Sequence, residues 1–181
     1  MNEGLIPRRY AKALYKFSAP RREEKRVYEL MHALSHSFSI NTQLHVVMQN
    51  PFINDDDKVK LLMTAASAID KDACFCDFLK LLVQNQRLSE IRDIALAYIA
   101  LYRQSNNIYP VEVVSAAPMG DKEETRLKQL IEKHLGGGVM EYSHRIDPEL
   151  IGGFMVNVGS ERLDATIKNE LKNLRLKLLS K

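Results

Sequence analysis

The residues whose types can do chemistry are few, and their spacing does not suit it. Cys74 and Cys76 are the only cysteines. On a helix, residues two apart point about 200° away from each other, so the two thiols cannot readily share a metal, and a structural zinc site needs four ligands. They are expected as buried free thiols. His32 and His36 stand at i and i+4 and can reach one ion. Between them lie Ala33, Leu34 and Ser35, so the glutamate of a metalloprotease helix is missing, and no third ligand is evident. Asp55, Asp56 and Asp57 lack the spaced oxygens and final glutamate of a calcium loop. The chain has no G-x-x-x-x-G-K-[ST] phosphate cradle, no dinucleotide fingerprint at Gly152-Gly153 and no G-x-S-x-G elbow. No catalytic residue, metal or cofactor is expected from these motifs, which disfavours enzyme activity, although catalytic groups can still converge from distant parts of a sequence.

Composition narrows the class further. The chain has 181 residues, 45% hydrophobic and 27% charged, with 8 Gly and 6 Pro. That is globular usage, neither disordered nor collagen-like. Two cysteines suit a reducing compartment, and no run approaches the length of a spanning helix. The net charge of +3 is too mild to argue for nucleic acid by itself. Residues 1–26 do carry eight Lys/Arg against three Asp/Glu, which leaves a basic nucleic-acid-binding helical protein as the alternative reading. A solvated basic face, with Tyr10, Ala13, Leu14 and Phe17 turned inward, is the preferred one. The opening residues lack a secretory h-region and are expected to be mature structure.

The elements that must position any site fall into two blocks. Residues 1–106 read as six helices with short connections, a helical bundle. Tyr10, Ala13, Leu14 and Phe17 recur at helical spacing, as do Val27, Leu30, Met31 and Leu34. Leu44, Val47 and Met48 form a shorter piece stopped at Asn50-Pro51. Asn54 and the acidic run predict a capped helix start. Phe75, Phe78, Leu79, Leu82 and Val83 make the most apolar helix, and Ser89 is expected to cap a long last one. Residues 107–181 read as a small α+β domain. Tyr109–Ala117 is β-branched and, with Pro110, predicts an edge strand. Asp121–Leu135 is a helix ended by Gly136-Gly137-Gly138, and Val139–Ile146 and Phe154–Val158 are strands around an Asp147-Pro148-Glu149 turn. Glu161–Leu179 predicts a terminal amphipathic helix with Leu163, Ile167, Leu171, Leu174 and Leu178 on one face. Glu161 and Asp164 suit its start and Lys172, Arg175, Lys177 and Lys181 its end. Leu176 and Leu179 lie off that stripe, available to a partner.

Three blocks of residues then resemble a known family along nearly the whole chain. They are Arg9-Tyr10-Ala11-Lys12-Ala13-Leu14-Tyr15, Leu81-Leu82-Val83-Gln84-Asn85-Gln86-Arg87-Leu88, and Asp147-Pro148-Glu149-Leu150-Ile151-Gly152-Gly153-Phe154-Met155-Val156-Asn157-Val158-Gly159 followed by Leu163-Asp164. Val113-Val114-Ser115-Ala116-Ala117 adds a weaker fourth. Together they resemble the delta subunit of bacterial F-type ATP synthase, counterpart of the mitochondrial oligomycin-sensitivity-conferring protein. Gln86 stands where that family often has glycine, and Ala165-Thr166 where it often has Gly-Ser.

The resemblance implies a stator subunit, peripheral to the cytoplasmic face of a bacterial inner membrane, that joins the catalytic head to the peripheral stalk. It implies that residues 1–106 hold the N-terminal helix of an alpha subunit between the first and fifth helices, with Tyr10, Ala13, Leu14, Leu81 and Leu82 as contacts. It implies that residues 107–181 bind the C-terminus of a b-type stalk subunit, with Leu171, Leu174, Leu176, Leu178 and Leu179 as contact candidates. No nucleic acid is expected as partner.

Overall fold

The computed structural model describes residues 4–69, 71–159, 161–171 and 176. The chain divides into two compact units, Met1–Ser105 and Asn106–Lys181.

Among the described residues, the first unit holds six α-helices: α1 (Leu5–Ser18), α2 (Glu24–Ile40), α3 (Gln43–Gln49), α4 (Asp55–Ala65), α5 (Ala73–Gln84) and α6 (Ile91–Ser105). Each buries a stripe at three- and four-residue spacing: Val27, Leu30, Met31, Leu34 and Phe38 on α2, and Phe75, Phe78, Leu79 and Leu82 on α5. α1 departs from the expected stripe. Its buried face is Pro7, Ala11, Leu14 and Ser18, while Ala13 and Phe17 are exposed and Tyr10 is half-buried. A count of apolar residues alone misplaces this face, because a serine and a proline belong to it. The Ser18 hydroxyl is tolerated there since it lies 3.2 Å from both the Tyr15 carbonyl and the Tyr98 hydroxyl. Tyr98 of α6 is fully buried and donates to the Glu24 carbonyl at 3.1 Å, so one phenol ties α1, α2 and α6 together. Burial pushes its pKa up to about 12.

Two local expectations change. α4 does begin at Asp55, but no side chain of Asn54 caps it. The Asn54 carbonyl accepts from Asp57 and Lys58, and the acidic first turn pairs internally, Asp55 with Lys58 and Asp57 with Lys60. Ser89 is not a cap either, because Leu88–Glu90 form a 3₁₀ turn that runs straight into α6.

The second unit is a four-stranded sheet in the order β2-β1-β3-β4, from β1 (Ile108–Ser115), β2 (Val139–Ile146), β3 (Gly153–Val158) and β4 (Glu161–Thr166). Helix α7 (Asp121–Leu135) carries the chain from β1 to its parallel neighbour β2, while β1–β3 and β3–β4 are antiparallel. Val111, Val113 and Val156 of the sheet bury Ile131 of α7 between them. β1 is thus an inner strand, not the edge that Pro110 suggested. Pairing with β3 starts only at Val111, and the Pro110 carbonyl accepts from Gly159 in the β3–β4 turn at 3.1 Å. The missing amide faces that strand end, where the ladder demands no donor.

The larger correction concerns residues 161–166. They form β4 rather than the first turns of the terminal helix, with Leu163 opposite Val156 and Glu161 opposite Val158. A leucine and an acid at helical spacing fit a strand equally well once a partner strand lies two residues upstream. Gly159, at φ 56°, makes the turn between them. The helix starts at Ile167. Thr166 is its cap: the Thr166 hydroxyl accepts from the Asn169 amide at 3.2 Å and donates to Asp164 at 2.6 Å. The Thr166 hydroxyl, helped by the Thr166 amide that donates to the same carboxylate at 3.1 Å, holds the Asp164 carboxyl below its usual range.

Candidate functional site: apolar clefts on each unit

A cleft of about 320 Å³ lies between α1 and α5, lined by Ala13, Leu14 and Phe17 from the first helix and Asp77, Phe78 and Leu81 from the fifth. Its lining follows from the offset in α1. The helix turns Ala11 and Leu14 into the core, so the next stripe, Tyr10–Ala13–Phe17, faces outward beside α5. Ala13 has almost no side chain and keeps the cleft open, whereas Phe17 and Leu81, at 40% and 41% exposure, form apolar walls. Tyr10 meets Phe78 edge-on, with ring centroids 6.5 Å apart. The Arg21 guanidinium sits 3.9 Å over the Phe17 ring and donates to the Cys74 sulfur at 3.6 Å.

Four of the five residues expected there lie at this cleft or beside it: Ala13, Leu14 and Leu81 line it, and Tyr10 packs against its Phe78 wall. Leu82 points the other way and is fully buried in the core. Sequence reasoning missed Asp77, Phe78 and Arg21, and it turned Phe17 inward. A signal for Phe17 existed: it stands four residues after Ala13, on the same outer stripe.

The second unit carries two apolar clefts that share Leu127, Leu130 and Phe154. One, of about 440 Å³, lies between α7 and strands β3–β4, with Ile131, Val156, Val158 and Leu163. His134 and Glu161 stand 3.5 Å apart on its lining. The other, of about 590 Å³, runs past Met119 to Ile151 and Gly152. Of the residues expected to meet a stalk, Leu171 and Leu176 are exposed, and Leu174, Leu178 and Leu179 lie outside the described residues. Ile151 was not singled out from sequence. It is exposed and held at φ 66°, a conformation that costs a β-branched residue about 1–3 kcal/mol.

Among the described residues, no three His, Cys, Asp or Glu side chains converge to hold a metal. Cys74 is buried and Cys76 half-buried, neither in a disulfide, and burial raises the Cys74 pKa away from a reactive thiolate. No helix among the described residues is long and apolar enough to cross a membrane. All three clefts are lined mainly by apolar side chains.

The family model described as ATP synthase delta (OSCP) subunit matches residues 6–178. ATP synthase subunit delta of Parabacteroides distasonis is 36% identical over 179 residues, covering 99% of this chain and 98% of that protein. The same-named protein of Bacteroides thetaiotaomicron is 32% identical, covering 100% and 97%. In structure, a chain of the Toxoplasma gondii mitochondrial ATP synthase hexamer shares the fold with a TM-score of 0.73 at 18% identity, covering 97% of this chain and 98% of its own.

Proposed function

Since the chain belongs to the ATP synthase delta (OSCP) subunit family, we propose that it is the stator link between the catalytic head and the b-type peripheral stalk. The head must not turn with the central rotor, or torque is lost. A protein in this position needs durable binding surfaces and no active site. The α1–α5 cleft is the observation that carries the reading. It takes the N-terminal helix of an alpha subunit by helix-in-groove recognition: Leu14 and Phe78 form the floor, Tyr10, Phe17 and Leu81 the walls, and small Ala13 permits close approach. Leu82 supports the site from the core by fixing α5.

The second unit takes the C-terminus of the b-type subunit. Leu171 and Leu176 are the exposed described candidates, joined by Leu174, Leu178 and Leu179. Two contacts on one adaptor reinforce each other, because the second forms at high effective concentration. The protein then sits peripherally, at the cytoplasmic face of the membrane, through the complex.

The test is titration of the full-length protein with a synthetic peptide of the alpha-subunit N-terminus from the same organism. Wild-type protein is expected to bind. Ala13→Glu is expected to weaken binding at least about tenfold, since it places an unpaired charge in an apolar contact, while circular dichroism stays unchanged because Ala13 is exposed. Equal binding by a folded Ala13→Glu variant overturns the groove assignment.

A further inference from the structure

Strand β2 is the end strand of the sheet. Over Val139–Ile146 it pairs in parallel with β1, and among the described residues nothing pairs with its outer edge. An end strand leaves a row of backbone donors and acceptors unmatched, and proteins commonly blunt it with Pro, Lys, a bulge or a short strand. β2 has none of these. It runs eight residues in unbroken register, without Pro or Lys, and keeps Val139 and Ile146 exposed at its two ends. Its side chains alternate between faces. Met140 and Tyr142 pack on the α7 side, so Glu141, Ser143 and Arg145 lie on the opposite face. There Arg145 meets Glu112 of β1 at 3.4 Å, with its side chain still 58% exposed.

We propose that this edge pairs with the same edge of a second copy of the chain, antiparallel and in register about Ser143. The order of residues carries the argument. Read outward from Ser143 in either direction, the strand gives an aromatic ring (Tyr142, His144), then charges of opposite sign (Glu141, Arg145), then a large apolar side chain (Met140, Ile146). A two-fold axis through Ser143, normal to the sheet, therefore sets Glu141 of each copy opposite Arg145 of the other, and Met140 opposite Ile146. Directly opposed residues of an antiparallel pair share a face, so both ion pairs form on the face away from α7 and the apolar pairs on the α7 face. Sliding one strand by two residues sets Arg145 opposite Val139 or Ser143 instead and loses both ion pairs. The two four-stranded sheets then continue into one, and each copy covers the edge that the other leaves open. The contact is one strand wide, far below the roughly 800 Å² per partner of a durable interface, so the dimer is weak and forms in concentrated protein.

The test is sedimentation equilibrium of the full-length protein under reducing conditions, from roughly 1 to 500 μM, a range that brackets a contact of this size. Wild type is expected to show a monomer–dimer equilibrium in the upper part of that range. Glu141→Arg and Arg145→Glu each set like charges against each other at both pairs, and each should weaken dimerisation at least about fivefold. An equimolar mixture of the two variants restores opposite charges across the edge and should dimerise like wild type, which neither variant does alone. Ser143→Cys supplies a second readout. On the axis, its two Cα atoms lie about 4.5–5.5 Å apart, within disulfide reach, so mild oxidation should cross-link it to a dimer faster than it does wild type with Cys74 and Cys76. Wild type that stays monomeric throughout overturns the proposal. So does a dimer that both charge reversals leave intact, a mixture no tighter than its components, or Ser143→Cys that cross-links no faster than wild type.

Discussion

Asp72 is the side chain on which the first unit leans most visibly. Its carboxylate is 7% exposed and accepts two parallel hydrogen bonds from Arg26 at 2.8 and 2.9 Å and a third from the Ile69 amide at 2.9 Å. The pair ties α2 to the start of α5, the helix that walls the cleft. The Arg26 hydrogen bond, helped by the Ile69 amide, holds the Asp72 carboxyl below its usual range against the opposing effect of burial. A depressed carboxyl contributes stability above its unfolded pKa and loses it as pH falls through the folded value. Thermal stability should therefore drop below about pH 4. Asp72→Asn should cost about 1–2 kcal/mol at neutral pH, with Arg26 partly exposed and so partly compensated by water. It should also flatten the acid limb. Denaturant melts of both proteins from pH 3 to 7 check this, and an unchanged acid limb in Asp72→Asn refutes it.

At the scale of elements, the decisive segment is 147–167. Asp147 accepts from the Glu149 amide and closes a 3₁₀ turn, the Gly153 carbonyl accepts from Ala116, and the Gly152 carbonyl accepts from Ile167. One turn thus joins the end of β1, the start of β3 and the first residue of the terminal helix. Gly153 has φ +80°, and a Cβ there would meet the Ala165 carbonyl and the Thr166 Cα of β4, which are backbone and cannot swing away. Gly136, the cap of α7, also has a positive φ of +64° but open space around it. Gly136→Ala should cost about 1 kcal/mol, the left-handed penalty alone. Gly153→Ala should cost clearly more, about 2–3 kcal/mol, because strain and a backbone clash add. Chemical denaturation of the two variants separates the terms, and equal costs contradict the clash.

For the whole molecule, the chain divides into two compact units between Ser105 and Asn106, and each has its own core: the α1–α6 interior around Tyr98, and the sheet–α7 interior around Val113 and Ile131. A unit with its own core can fold alone. The fragment 1–105 should unfold cooperatively and bind the alpha N-terminal peptide with the affinity of the full chain. A fragment without a cooperative transition contradicts the independence of the units. A folded fragment with much weaker peptide binding moves part of the site into residues 106–181.

By itself the sequence determined the family, a helical first part, a second part that mixes strands with helix, and the absence of recognisable catalytic motifs. These are local properties: periodicity, turn residues and motif spacing survive without knowledge of neighbours. Contacts between distant segments decided the rest. The inward face of α1 depends on Tyr98, eighty residues away, accepting Ser18 into the core. β1 became an inner strand because β3 pairs with it from Val111 onward. Residues 161–166 became β4 because Gly159 folds them back on β3, where a strand's ladder outweighs helical spacing. Leu82 went to the core and Phe17 to the cleft for the same reason. A helix face is inward or outward only with respect to what packs against it, and one-dimensional spacing carries the stripe but not its neighbour.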